Sequence, residues 1–180
     1  MPQQEDLNIV LTGMPGAGKT FIGEKLAKLV YHFKYVDIDK EIEKSENMNI
    51  SEIFEEKSEK YFRELETKFI KEFSKNKNQI ISIGGGAFEN EENIKNLKLN
   101  GICFYLKTNP EFLYKRLSLN HKNVSSRPML NSDFTINKLK NLLKKREKNY
   151  QKADFTIDTE GKQAYTIIDE ILKEYHYARK

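Results

Sequence analysis

The sequence predicts an α/β fold in which a mainly parallel sheet is covered by helices on both faces. Short apolar runs alternate with helical patterns from end to end, and no long linker or repeat interrupts them. The length, 180 residues, fits one compact domain. Three glycine- or acid-rich turns, at 13–20, 37–39 and 84–86, follow predicted strands. Because ligands bind such sheets at the carboxyl ends of the strands, we expect these turns to converge in space.

The strands are predicted from short apolar runs, and the first, at residues 7–11, ends in a glycine-rich turn as a buried parallel strand does. Cys103, in the fourth run, is expected to be a buried core residue. The later strands are expected at residues 35–37, 79–83, 101–107 and 154–158.

Helical spacing of apolar residues predicts a helix over 18–31, and a helical pattern then continues from 40 to about 76, with a break near 47–49 and Ser51 as an N-cap. The polar stretch 120–133 has no regular pattern, which suits a closing lid. Further helices are expected over 112–119, from about 133 to 152 and from 162 to about 175.

Composition excludes several classes of protein. Hydrophobic residues make up 38% of the chain and charged residues 32%, and no apolar run approaches the ~18–20 residues that span a bilayer. Because the N-terminus is polar, we do not expect a signal peptide there. One cysteine excludes an internal disulfide and a cysteine-rich metal site, and the three histidines lack metal-ligand spacing. We therefore expect a cytoplasmic protein without a membrane partner.

The net charge of +4 is a weak indication of nucleic-acid binding, because most lysines lie beside glutamates on helical segments, as on solvated helix faces. The use of arginine is more informative. Only five of the 31 basic residues are arginine, which favours a few positions that need a planar, bidentate anion ligand. The arginines are Arg63, Arg116, Arg127, Arg146 and Arg179.

Residues 13–20, Gly-Met-Pro-Gly-Ala-Gly-Lys-Thr, match the motif G-x-x-x-x-G-K-[ST] between a predicted strand and a predicted helix. Its glycines let backbone N–H groups point at phosphate oxygens, and the helix adds the positive end of its dipole. Lys19 is expected to reach the outer phosphates and the Thr20 hydroxyl to bind Mg²⁺. The motif predicts a nucleoside triphosphate site. A GTPase is disfavoured, because the sequence lacks the N-K-x-D motif that reads guanine.

Asp37 and Asp39 follow the second predicted strand and are expected on the same side of an extended segment. One acid near Mg²⁺ and one near an acceptor hydroxyl would meet the needs of phosphoryl transfer. Motor ATPases usually hold the metal with an aspartate on the third strand. The third predicted strand of this chain carries no acid, so Asp37 is the nearest replacement. Helix capping by Asp39 is the alternative interpretation.

Two further features have a structural and a functional interpretation. Arg63 and Arg146 lie on predicted helices, where each is either an ordinary surface residue or an anion ligand. The three glycines at 84–86 form either a flexible turn or a site where backbone N–H groups meet a polar ligand. Arg127 lies in the irregular stretch expected to form the lid.

In order along the chain, G-x-x-x-x-G-K-T, D-x-D, F-R-x-x-E, G-G-G, R-P-[ML]-L and R-x-x-x-Y closely resemble the shikimate kinase family over roughly residues 7 to 170. The resemblance implies a three-layer P-loop kinase fold with strand order 2-3-1-4-5. It implies a single domain over 1–180, with a substrate-binding segment at about 38–67 and a lid at about 117–132. The implied reaction moves the γ-phosphoryl group of ATP, with Mg²⁺, to the 3-hydroxyl of shikimate.

The resemblance also implies roles for the matching residues. Lys19, Asp39 and Arg127 would be catalytic, and Thr20 and Asp37 would bind the metal. The residues implied in nucleotide binding are Gly16, Ala17, Gly18, Lys19, Thr20, Phe21, Arg116 and Arg127.

Acceptor binding is implied for a second set, which includes the two helical arginines as a clamp on the shikimate carboxylate. We expect the partner to be a small molecule and the protein to act as a monomer. We do not expect a nucleic-acid partner. A gluconate-type kinase, a nucleoside monophosphate kinase and a non-catalytic nucleotide-binding domain of this shape are the alternatives. The implied acceptor residues are Asp39, Arg63, Gly84, Gly85, Gly86 and Arg146.

Overall fold

The structure, a computed structural model, describes residues 6–119 and 134–179, and a five-stranded parallel sheet lies at the centre of this part of the chain. The strands lie in the order β2-β3-β1-β4-β5, as expected, and every neighbouring pair is parallel. The chain fills one side of β1 with β2 and β3 and then the other side with β4 and β5. Ligands bind where the order reverses in this way, so the carboxyl end of β1 is the expected site. The strands are β1 Asn8–Thr12, β2 Lys34–Asp37, β3 Gln79–Ser82, β4 Gly101–Lys107 and β5 Phe155–Asp158.

Helices form the outer layers of the fold. The first helix packs against the last, while the fourth packs against the fifth, which gives one helical layer on each face of the sheet. Across residues 6–119 and 134–179, no helix combines the length and the apolar character needed to cross a membrane. The helices are α1 Lys19–Leu29, α2 Ile38–Glu46, α3 Ile50–Glu56, α4 Glu59–Phe73, α5 Glu91–Leu99, α6 Pro110–Ser118, α7 Ile136–Tyr150 and α8 Ala164–Ala178, with a 3₁₀ turn at Ala87–Glu89.

The central strands are buried on both faces, which explains their continuous apolar sequences. All residues of β1 and β3 are buried, and β4 is buried as far as Leu106. Cys103 lies in β4 without solvent exposure and is a core residue, as predicted.

Two helical features differ from the sequence-based expectation. The region expected as a helix with one break contains three helices, because Asn49 rather than Ser51 caps α3 and Ser58 caps a separate α4. Asn49 forms a capping box with Glu52, a stronger N-terminal signal than the serine two residues later. The helix α5 was not predicted, since it buries only Asn93, Ile94 and Leu97 and so has little apolar periodicity.

The amino-terminal ends of β1 and β3 are joined by a buried side chain. Asn8 is 1% exposed, and its Nδ2 donates to the carbonyl oxygen of Asn76 at 2.7 Å. Its Oδ1 accepts from the backbone N–H of Gln79 at 2.9 Å. One amide therefore satisfies two backbone groups that neighbouring strands leave unpaired at the edge of the ladder.

Replacing Asn8 by alanine should lower the free energy of unfolding by about 2 kcal/mol, because one buried and one partly buried backbone group lose their partner. Urea unfolding followed by circular dichroism measures this change. The control is Asn76→Ala, which removes an exposed side chain and should change stability by less than about 0.5 kcal/mol. Equal stability of the two variants would contradict a structural role for Asn8.

Candidate active site

A cavity of about 380 Å³ opens at the carboxyl ends of the first three strands. The three turns expected to converge all contribute to its wall. The residues that line it are Pro15, Gly16, Gly18, Lys19, Thr20, Phe21, Asp37, Asp39, Ile50, Phe54, Phe62, Arg63, Glu66, Ser82, Ile83, Gly84, Gly85, Gly86, Arg116, Leu117 and Arg146.

The loop between β1 and α1 has the geometry of a phosphate-binding loop. Gly13, Gly16 and Gly18 have φ angles of +141°, +86° and +97°, which side chains disfavour. A Cβ at Gly13 would also lie 2.7 Å from the backbone oxygen of Leu106. The Lys19 ammonium donates to the carbonyl oxygens of Gly13 and Met14 at 2.9 and 3.1 Å, so it lies against the loop that its own helix follows.

Thr20 and Asp37 meet beside this loop. The Thr20 hydroxyl donates to Asp37 Oδ2 at 3.1 Å, and Tyr35 donates its hydroxyl to the same oxygen at 3.1 Å. Asp37 also caps α2, because its Oδ1 accepts from the backbone N–H of Lys40 at 3.4 Å. Helix capping was the alternative suggested for Asp39, but Asp37 is the residue that caps.

The sequence suggested that Asp39 lies on an extended segment. In the structure it lies in the first turn of α2 instead. The backbone turns into a helix at Ile38, yet both carboxylates still line the cavity. Among the described residues, Asp39 Oδ1 and Glu66 Oε1 are buried oxygens without a hydrogen-bond partner. Burial, then the charges of Glu66 and Asp37, raise the pKa of Asp39 to about 7. Burial also raises the pKa of Glu66, against the opposing effect of Arg63.

Arg63 lines the cavity from α4, and two glutamates of its own helix orient its guanidinium. Nη1 donates to Glu66 Oε2 at 2.9 Å and Nη2 donates to Glu59 Oε1 at 3.2 Å. Glu66 is 1% exposed, so this arginine compensates a buried charge. The Arg63 side chain is 29% exposed, so Arg63 is partly buried and not an ordinary surface residue.

Arg146 reaches the same cavity from α7. It is only 3% exposed, and its Nε donates to Glu89 Oε1 at 2.7 Å. The interpretation of Arg146 as an ordinary surface residue is wrong, because Arg146 and Tyr150, four residues later on the same helix, are both buried. Tyr150 donates its hydroxyl to the carbonyl oxygen of Gly85 at 2.6 Å, which connects α7 to the glycine turn.

The turn at 84–86 has little space for side chains. A Cβ at Gly84 would lie 2.9 Å from both Asp39 Oδ1 and Glu66 Oε1. A Cβ at Gly86 would lie 2.6 Å from Arg63 Nη2. The glycines therefore let the backbone approach the charged groups of the cavity closely.

The remaining expected site residues differ in placement. Arg116 lies over the phosphate loop, since a Cβ at Gly18 would be 3.2 Å from its Nη1. Phe21 lines the cavity with a 49% exposed side chain. Ala17 is buried outside the cavity lining, so only its backbone could face a ligand. Arg127 and most of the expected lid lie outside the described residues.

Sequence reasoning assigned no role to Glu66, Glu89 or Tyr150, although each orients a group at the cavity. Glu66 stands three residues after Arg63 on one helix, and that spacing alone indicates an ion pair. Glu89 carried no local signal, because its partner Arg146 is 57 residues away.

The fold and the site together define the class of protein: a P-loop kinase, with a phosphate loop, paired acids and two arginines in one cavity. The shikimate kinase family profile matches residues 15–176. The chain is 42% identical over 168 residues to the shikimate kinase of Thermodesulfovibrio yellowstonii, with 93% of this chain and 94% of that relative covered. This chain belongs to the shikimate kinase family.

Solved structures are consistent with this assignment. The shikimate kinase from Acinetobacter baumannii in complex with shikimate matches with a TM-score of 0.87 and 36% identity, over 96% of this chain and 94% of that one. A gluconokinase from Sinorhizobium meliloti matches with a TM-score of 0.58 and 11% identity, over 98% and 95% of the two chains, which shows a common fold alone. The chain is therefore a kinase that uses ATP.

The raised pKa of Asp39 predicts a pH-dependent stability in nucleotide-free protein treated with EDTA. The ordinary pKa is 3.8 and the folded value is about 7, so between these values the folded protein retains a proton that the unfolded chain releases. Stability then falls as the pH rises. The free energy of unfolding of the wild type, minus that of Asp39→Asn, should fall by about 3 kcal/mol from about pH 4 to about pH 7.

Urea unfolding at a series of pH values measures this difference. Asp169→Asn, on an exposed position of α8, controls for loss of a carboxylate. A wild-type-minus-Asp39→Asn difference that stays constant over this range would show that the Asp39 carboxyl is not perturbed.

Proposed function

We propose that this chain transfers the γ-phosphoryl group of MgATP to the 3-hydroxyl of shikimate. The observation that carries the proposal is the convergence of Arg63 and Arg146 on the cavity that Lys19 also lines. Shikimate is a small ring with one carboxylate and several hydroxyls, so two guanidinium groups at one end and a phosphate loop at the other suit it. The related kinase from Acinetobacter baumannii was solved with shikimate bound.

At the acceptor end, Arg63 and Arg146 would bind the carboxylate, and the glycine turn would lie against the ring. A guanidinium carries five N–H donors, so an arginine oriented by glutamates can still donate to a ligand carboxylate. Glu59 and Glu66 orient Arg63, and Glu89 orients Arg146. In this role Gly84, Gly85 and Gly86 supply backbone N–H groups and the space that side chains would fill.

Asp39 would accept the proton of the reacting hydroxyl. A base is most effective when its pKa lies near the operating pH, and the pKa of Asp39 is raised to about 7. Its buried Oδ1, which has no partner among the described residues, is an acceptor that a substrate hydroxyl would satisfy.

At the nucleotide end, Lys19 and the backbone of residues 16–20 would bind the β- and γ-phosphates. Arg116 and the exposed ring of Phe21 line the outer part of this wall and would contact the nucleoside. Arg127, outside the described residues, would close on the phosphates as part of a lid at about 117–132. The segment at about 38–67 would bind the acceptor, within a single kinase domain.

Thr20 and Asp37 fit a magnesium site. Both offer hard oxygen donors, 3.1 Å apart and beside the phosphate loop, and Mg²⁺ commonly uses one or two protein oxygens together with phosphate oxygens. Bound Mg²⁺ would neutralise charge that develops on the phosphates during transfer.

A monomeric, cytoplasmic enzyme is part of this proposal. The single cysteine, Cys103, is a buried thiol, which fits a reducing compartment.

An acceptor panel tests the proposed reaction. ADP release, coupled to NADH oxidation, should be stimulated by shikimate and not by gluconate or AMP. Lys19→Ala, which removes the phosphate-loop ammonium, should lose this activity and serves as the blank. Stimulation by gluconate or AMP alone would identify a different kinase, and binding of nucleotide without turnover on any acceptor would indicate a non-catalytic domain.

Replacing Arg63 by lysine should raise the KM for shikimate about tenfold to a hundredfold, because an ammonium cannot form two parallel hydrogen bonds with a carboxylate. The KM for ATP should stay within about twofold. Steady-state kinetics with each substrate varied in turn measure the two constants. Arg179→Lys, at the end of α8 beside Asp6, is the matched control and should change neither. An equal loss for both substrates would contradict the carboxylate clamp.

A further inference from the structure

Tyr35 lies next to the proposed metal-binding pair and has no part in the roles assigned above. Its hydroxyl donates to Asp37 Oδ2 at 3.1 Å, the oxygen that also accepts from Thr20. Two hydroxyl groups from different elements, β2 and α1, therefore converge on one carboxylate oxygen. With the backbone N–H of Lys40 on Oδ1 at 3.4 Å, the carboxylate is held on both oxygens.

The position of the Tyr35 ring depends on Gly23. A Cβ at Gly23 would lie 2.4 Å from Cε2 and 2.9 Å from Cδ2 of the ring, so the ring lies directly against the backbone of α1. Gly23 is buried one turn after Lys19 and Thr20 in the same helix. The close contact fixes the ring beside the phosphate loop and thereby determines where its hydroxyl lies relative to Asp37.

The hydrogen bonding gives each hydroxyl a defined direction. An ionised carboxylate only accepts, so Tyr35 and Thr20 both donate their single hydrogen to Asp37. A tyrosine phenol keeps its proton at neutral pH, so the Tyr35 hydroxyl acts as a donor to Asp37. Because Thr20 donates its hydrogen to Asp37, its oxygen lone pairs remain for a cation.

We infer that Tyr35 is a positioning residue for the magnesium site: its hydroxyl, placed by contact with Gly23, orients the Asp37 carboxylate so that Asp37 and Thr20 present their oxygens together. This inference rests on the metal role of Asp37 and Thr20 in the proposed function. Groups that hydrogen-bond to metal ligands fix ligand orientation, and their loss commonly weakens metal affinity by about 10- to 100-fold.

The test is the Mg²⁺ dependence of ADP binding, measured by isothermal titration calorimetry without acceptor. Tyr35→Phe removes only the hydroxyl, and half-maximal ADP binding should then need about tenfold more Mg²⁺. Affinity for ADP at saturating Mg²⁺ should equal that of the wild type. The matched control is Tyr175→Phe, which loses a hydroxyl that donates to the Leu7 carbonyl oxygen, and its Mg²⁺ requirement should be unchanged.

A double-mutant cycle with Asp37→Asn separates positioning from general destabilisation. If Tyr35 acts through Asp37, Tyr35→Phe should add little to the Mg²⁺ requirement of Asp37→Asn. Gly23→Ala keeps the hydroxyl but displaces the ring, so it should raise the Mg²⁺ requirement as well, and it provides the test if Tyr35→Phe does not fold.

The outcomes distinguish this inference from the proposed function. ADP binding that does not depend on Mg²⁺ in the wild type would overturn the metal role of Asp37 and Thr20. A wild type that needs Mg²⁺, with Tyr35→Phe or its substitute Gly23→Ala identical to it, would overturn the role of Tyr35 alone. If Tyr35→Phe and Asp37→Asn raise the Mg²⁺ requirement equally, and the two effects add fully in the double variant, that result would also contradict the role of Tyr35.

Discussion

The pairing of Arg63 with Glu66 is the interaction on which the acceptor end of the cavity depends. Glu66 is almost completely buried, and its Oε2 accepts from the guanidinium at 2.9 Å. A buried carboxylate without a partner would cost several kcal/mol, so each member of the pair fixes the other in place. The other oxygen of Glu66 lies close to Asp39 and contributes to the raised pKa of that acid. One ion pair therefore connects the proposed anion-binding groups to the proposed base.

Acidic and basic side chains lie close together in this cavity. Arg146 comes from a part of the chain that is distant from Arg63, and it is paired with a different carboxylate, Glu89. Each arginine of the proposed clamp therefore has an acid that orients it. The same crowding explains why this turn consists of glycines, because side chains at Gly84 and Gly86 would collide with Asp39 and Arg63. Preorganised charges of this kind need little rearrangement when a substrate binds, which is a general requirement for electrostatic catalysis.

The sequence predicted the sheet and the convergence of the three turns, because both follow from local patterns and from the rules for parallel sheets. It predicted the direction of Asp37 and Asp39 only in part. The helix begins between them, so the alternation of an extended strand does not apply. The burial of Arg146 could not be predicted either, since it depends on packing against Glu89 and on a tyrosine that faces the core. The helix α5 lacked the apolar periodicity that a sequence-based prediction needs.

The central claim is that two guanidinium groups bind the carboxylate of the acceptor, and a change in the ligand tests it most directly. Calorimetric titration in the presence of MgADP compares shikimate with its carboxamide, which keeps the ring and the hydroxyls but carries no charge. Two charge-assisted contacts predict an affinity for the carboxamide about 100-fold weaker than that for shikimate. Equal affinities for the two ligands would show that Arg63 and Arg146 do not bind the carboxylate and would contradict the account.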